Sequence, residues 1–190
     1  MVQITISLPL CGTLASVVLP ALLLLLSIAG ASVNRTIDDE NGDSVTGALP
    51  AYEPSEGGSW VQGLRCVHCH MLPYKVVNVS QNFDSTWHDT TYHPGEGDQF
   101  ITASFTGTAV TVYHLIPNFV PSTTTLTNLS FSIDGVYNGQ YIHIPDNTSN
   151  ILYQVPVFTK PNLVNAPHTI EIRATGPNAS ILLFDYISYT

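Results

Sequence analysis

ITASFTGTAVTVYHL, Ile101 to Leu115, is the stretch that decides the fold class. Ile101, Ala103 and Phe105 alternate with Thr102 and Ser104, and Gly107 then marks a turn. Thr108–Leu115 follows as a second run rich in β-branched and aromatic residues. Successive side chains of a strand point to opposite faces, so this alternation gives one apolar and one wet face.

The same pattern recurs downstream. Leu129, Phe131 and Ile133 alternate with Ser130 and Ser132 before the Asp134-Gly135 turn signal. Further runs are Tyr141–Ile144, closed by Pro145-Asp146-Asn147, then Ile151–Phe158, then His168, Ile170, Ile172 and Ala174. Ile181–Tyr189 is almost continuously apolar, which suits a central strand. No 3.6-residue periodicity and no fixed internal repeat accompany these runs. About eight or nine strands, separated by turns every ~8–15 residues, predict an all-β sandwich.

Working back toward the start, none of the first 34 of the 190 residues is charged, and Leu8–Ala31 is almost wholly apolar or small. The small-residue triplet Ala29-Gly30-Ala31 predicts a signal peptide over residues 1–31, cleaved near Ala31. The alternative is a retained anchor, since the run exceeds the ~20 residues that span a bilayer and lacks a basic leader. Pro20 and the small exit favour cleavage, and either outcome sends the rest out of the cytosol. The expected localisation is therefore secreted or cell-surface.

Residues 32–60 form an acidic, loop-rich opening with a first short strand near Arg35–Ile37. Residues 61–190 are expected to complete a single sandwich domain. A net charge of −9, from 14 acidic and 5 basic residues, argues against nucleic acid or an anionic membrane surface as a partner. Five N-x-S/T sequons, at Asn34, Asn78, Asn128, Asn147 and Asn178, fit an exported glycoprotein.

Two clusters look like chemistry. RCVHCH, Arg65–His70, matches the C-x-x-C-H pattern of covalent haem attachment. Haem needs dedicated machinery and an apolar cradle, and a redox dithiol needs a helix N-terminus. Zinc needs a second ligand pair, and thiols oxidise outside the cytosol. The preferred reading is a Cys66–Cys69 disulfide, a local staple contributing roughly 2 kcal/mol.

FDSTWHDTTYHPGEGD, Phe83–Asp98, gathers Trp87, His88, Asp89, Tyr92 and His93. Aromatic faces stack on sugar C–H surfaces and His or Asp side chains bond hydroxyls, so these five are the candidate glycan-binding residues. The competing reading makes Trp87 core and His88-Asp89 a structural pair. Exposed Trp87 and Tyr92 beside His88 would favour binding; buried ones would favour structure.

His88 next to Asp89 is no sign of a catalytic triad, because adjacent strand residues face opposite ways. No hydrolase signature is present, so a non-catalytic protein is expected, with no cofactor. Asp38, Asp39 and Asp43 resemble a calcium loop in composition but fail the EF-hand spacing, so a solvated acidic turn is preferred to structural calcium.

Several segments together resemble a largely uncharacterised fungal (basidiomycete) family of secreted or membrane-anchored surface proteins with a galactose-binding-like (discoidin-like) jelly-roll domain. They are NRTIDDENGDSVTGALPAY (Asn34–Tyr52), Ser59-Trp60, STWHDTTYHPG (Ser85–Gly95), FTGTAVTVYHLIPN (Phe105–Asn118), TTTLTNLSFSIDG (Thr123–Gly135) and LFDYISYT (Leu183–Thr190). The resemblance implies a jelly-roll β-sandwich of two antiparallel sheets, a fold that commonly binds carbohydrate through loops at one end. It assigns no role to Trp87, His88 or Asp89.

Many relatives continue beyond the equivalent of Thr190 into a membrane helix and tail. The expectation is a soluble form or a shortened reading of a membrane-anchored protein. Three functions stand in order: a glycan or cell-wall polysaccharide binder, a structural or adhesive wall protein without a small-ligand site, and a glycan-active enzyme.

Overall fold

The computed structural model describes residues 33–57, 59–66, 69–72 and 74–190; the expected signal peptide or anchor at 1–31 lies outside them. The strands, in chain order, are β1 (Arg35–Asp38), β2 (Gly42–Asp43), β3 (Ala51–Glu53), β4 (Val61–Gln62), β5 (His88–Tyr92) and β6 (Gln99–Gly107). They continue as β7 (Val110–Pro117), β8 (Thr127–Ile133), β9 (Val136–His143), β10 (Ile151–Lys160), β11 (Ala166–Ala174) and β12 (Ser180–Tyr189).

The protein is all-β, a jelly-roll sandwich of two antiparallel sheets. The first sheet runs β10-β7-β12-β1-β2, with β5 on β12 and β4 on β5; the second runs β3-β6-β11-β8-β9. The long strands coincide with the alternating runs. The additional ones, β2 to β5, hold two to five residues each, too few to carry a readable period. The only helices among the described residues are single 3-10 turns at Gly63–Arg65, Val79–Gln81 and Phe83–Ser85.

The 101–115 stretch explains the sandwich. Ile101, Ala103 and Phe105 from β6 and Val110, Val112 and Ile116 from β7 are buried in one cluster between the sheets. The turn after β8 places Ile133 opposite Val136 across Asp134 and Gly135, at φ 52° and 76°. Two consecutive left-handed residues match the twist of a tight hairpin, and glycine adopts that conformation without strain.

β12 runs through the centre of the first sheet. It pairs with β7 on one side; on the other, Ser180–Phe184 pairs with β5 and Tyr186–Tyr189 with β1. Its side chains are buried on both faces. Leu182, Phe184, Ile187 and Tyr189 join the inter-sheet core, while Ile181 and Leu183 join a second cluster with Met71, Val77, Val79, Trp87, Leu115 and Val120. A register shift between Phe184 and Tyr186 makes Asp185 the extra residue, which lets both Phe184 and Ile187 face inward. Burial on both faces is why the sequence of this strand does not alternate.

Candidate functional site

The motif Trp87–His93 is split by strand alternation. His88, Thr90 and Tyr92 take the inner side of β5; Trp87, Asp89, Thr91 and His93 take the outer side. Trp87 is fully buried in the second cluster, where an added Cβ on Gly63 would meet its ring at 1.9 Å. Tyr92 is 5% exposed in the inter-sheet core, and its hydroxyl donates to the Gly176 carbonyl at 2.7 Å. Neither can stack on a sugar. The expected aromatic platform is therefore corrected: burial places Trp87 and Tyr92 in the core, the outcome that favours a structural role for them.

His88 is half-buried and turns toward the opening segment. Its ring stacks on Tyr52 at 4.2 Å between centroids, and its Nδ1 lies 2.8 Å from Asp39 Oδ2. Asp39 also accepts from Thr86 Oγ1 at 2.5 Å, and burial still raises its carboxyl to about 6. Asp38 accepts from the backbone N–H groups of Glu40 and Asn41 at 3.1 and 2.7 Å, and burial raises its pKa too.

The calcium grouping needs correction at Asp43, which is committed elsewhere: Oδ1 accepts from Val45 N at 2.6 Å and Oδ2 from the Tyr189 hydroxyl at 2.8 Å. Asp185 is the carboxylate that joins Asp38 and Asp39 instead. It is fully buried, and burial plus the neighbouring Asp39, Asp38 and Asp84 charges push it up to about 8. Among the described residues, Asp39, Glu40 and His88 are the trio that could hold a metal, with ligand atoms within 4.8 Å of one another.

The outer side of β5 carries a different site. Asp89, Thr91 and His93 line a cleft of about 310 Å³. Strand register fixes one wall, because Thr91 sits opposite Ile181 and Asp89 opposite Leu183. Ser122–Thr124, in the loop after β7, form the second wall, and Ile181 N donates to Leu126 O at 2.8 Å to hold that loop beside β12.

Cys69, His70 and Met71 form the third wall. Their segment is held by the Cys66–Cys69 disulfide, with Cα atoms 5.4 Å apart, and by Met71 buried in the second cluster. Gly63 N donates to Trp87 O at 2.8 Å, which fixes the approach to that segment. Two sequence clusters that looked separate thus meet here. RCVHCH supplies a wall rather than a haem or metal centre.

Asp89 is 6% exposed, and its Oδ2 has no hydrogen-bond partner among the described residues. Burial pushes its carboxyl up to about 7, with the Trp87 indole beside it pulling the other way. A buried carboxylate is acceptor-only, so an unmatched oxygen in a cleft is a demand for a donor. The imidazoles of exposed His70 and His93 and the hydroxyls of Thr91, Ser122, Thr123 and Thr124 complete a polar lining over apolar Met71 and Ile181.

Sequence reasoning finds Asp89 and His93 but misses His70, Thr91 and Ser122–Thr124. His70 is visible beside Cys69, yet only as a supposed metal or haem ligand. A run of loop hydroxyls carries no signal until the fold places it beside β5.

Of the five sequon asparagines, Asn34, Asn78, Asn147 and Asn178 are exposed. Asn128 lies within β8, half-buried, with Nδ2 3.4 Å from Thr175 O, a position that disfavours a glycan.

No protein-family model matches this sequence, and no curated protein does either. Solved structures with similar backbones include a family 35 carbohydrate binding module from Clostridium thermocellum, at TM-score 0.47 and 9% identity over 83% of this chain and 97% of that one. The sandwich is similar to that of a carbohydrate-binding module. The Agl-KA catalytic domain matches at TM-score 0.48 and 11% identity, over 82% of this chain and 27% of that one. An exo-β-1,3-galactanase from Phanerochaete chrysosporium, solved with β-1,3-galactotriose, matches at 0.43 and 16%, over 83% and 30%. The chain thus spans about a quarter to a third of these two larger proteins, and the likeness concerns the fold alone.

Proposed function

We propose that this chain is an extracellular or cell-surface glycoprotein module that binds carbohydrate without catalysis, through the cleft on the outer side of β5. The observation that carries the reading is Asp89: a buried carboxyl with an unmatched oxygen, facing a cleft ringed by hydroxyls and two imidazoles. Polyols supply the donors that such a group requires, and the apolar floor of Met71 and Ile181 suits a sugar's C–H surface.

Only one carboxyl lines this cleft among the described residues, whereas glycoside hydrolysis ordinarily employs two across the scissile bond. That supports binding over turnover, and the reading requires no cofactor. The apolar N-terminal run and the Cys66–Cys69 disulfide support an exported protein.

The second reading is a structural or adhesive protein without a small-ligand site, favoured by the burial of Trp87 and Tyr92. A glycan array probed with folded protein and with a Thr91→Trp variant separates the two. Binding that the variant loses supports the cleft. Silence across the array, with folding confirmed, overturns the binding reading in favour of the structural one.

A further inference from the structure

The cleft's charge points to a narrower ligand class. No lysine or arginine lines it among the described residues, and the whole chain has only 5 basic side chains against 14 acidic ones. The residues facing Asp89 that can titrate are His70 and His93, both at the exposed rim, while the Asp89 carboxyl is nine-tenths buried. No described ion pair or hydrogen bond reaches its Oδ2. A hydroxyl would meet the demand for a donor and leave the charge unmatched. A primary ammonium meets both, with three donors and a positive charge, and charge-assisted hydrogen bonds are about twice as strong as neutral ones.

From this juxtaposition of an unmatched buried carboxyl with a hydroxyl-lined, cation-free cleft, we infer that the site selects amino sugars with a free amine over their neutral and N-acetylated counterparts. The inference rests on the cleft being the binding site. An anionic sugar would meet Asp89 without a compensating cation and is disfavoured by the same chemistry. Burial raises the Asp89 carboxyl to about 7 in the free protein, and an ammonium beside it would hold it ionised. The hydroxyls of Thr91 and Ser122–Thr124 are then left to bond the ring oxygens and hydroxyls of the same ligand.

The test uses three trimers with one β-1,4 backbone and different groups at carbon 2: glucosamine, N-acetylglucosamine and glucose. Calorimetric titration of the full exported protein should show the glucosamine trimer binding at least about tenfold more tightly than either other trimer. Asp89→Asn should reduce it to the level of the glucose trimer.

Amide shifts of isotope-labelled wild-type protein provide the arm that does not depend on the variant folding. They should move at Asp89, Thr91 and Ser122 on addition of the amine, and not around Asp39 and His88. Equal or tighter binding of the glucose or acetylated trimer overturns the selectivity and leaves the binding reading standing. Shifts confined to Asp39 and His88 overturn the site. Binding by none of the three trimers overturns the selectivity, while the array decides separately whether any glycan binds.

Discussion

The first sheet is packed on both faces, and its two coverings are built differently. Inward, Phe184, Ile187 and Val112 meet a complete second sheet, with Phe131, Ile170 and Ile172 opposite them. Outward, Trp87, Leu115, Ile181 and Leu183 are covered by a segment with three single 3-10 turns, a disulfide and part of the loop after β7. A sheet seals a face with a continuous hydrogen-bonded ladder. An irregular segment satisfies its backbone piecemeal and leaves a gap, and the cleft of Asp89 and His93 is that gap.

The largest effects test whether the inner covering is the more rigid. Phe184 and Trp87 are both fully buried, and truncating such rings costs about 3–5 kcal/mol, depending on how far the site can collapse. Phe184→Ala should fall near the top of that range and Trp87→Ala near the bottom, measured by denaturant unfolding. Equal losses would erase the distinction. Gly63→Ala should follow at about 1–3 kcal/mol, because its Cβ would overlap the Trp87 ring with no room to yield. Hydrogen exchange in that variant should rise in residues 63–87 and not in β6 or β11; a uniform rise would mean that the two faces unfold as one.

The contrast also explains what the sequence could show. Alternation in Ile101–Phe105 and Leu129–Ile133 announces strands because one face of each is apolar and the other wet. The continuous run at Ile181–Phe184 indicates a central strand but not its two separate cores, since burial on both faces erases the period. For the site, the period of two is enough by itself to divide Trp87–His93 into two faces. What no local pattern contains is the meeting of β5 with His70 and with Ser122–Thr124, which depends on pairings across about 20–90 residues of chain and on loops without periodicity.

Two buried titratable groups on the same sheet should respond to pH in opposite senses. Asp185, raised to about 8 from an unfolded value near 4, contributes stability that is fully present below about pH 4 and lost as pH rises through about 8. His114 is fully buried against Phe184, and burial lowers it to about 3. Its contribution is present above about pH 6.5 and lost as pH falls toward about 3. Asp185→Asn keeps an oxygen for the Phe83 N–H, which now donates to Asp185 at 2.9 Å. The variant should therefore gain on wild type by about 1–2 kcal/mol between pH 5 and pH 8, read from melting curves with a chelator present. A gap that stays constant with pH would show that Asp185 does not carry the alkaline limb.

The smallest effect on stability should come from the rim of the outer cleft. His93 is exposed and has no described hydrogen bond to lose, so His93→Ala should move the unfolding free energy by no more than about 0.5 kcal/mol. Its imidazole nevertheless faces the same cleft as Asp89, and truncating one contact in a small polar site weakens a ligand by about tenfold. On the inner side of the same strand, Tyr92→Phe removes the hydroxyl that bonds Gly176 O, so it should lower stability by about 1 kcal/mol and leave affinity unchanged. The pair of variants thus asks one strand to separate binding from folding by alternation alone. If His93→Ala costs stability, or Tyr92→Phe costs affinity, the two faces of β5 are not independent, and the division between covering and cleft fails at the strand that defines it.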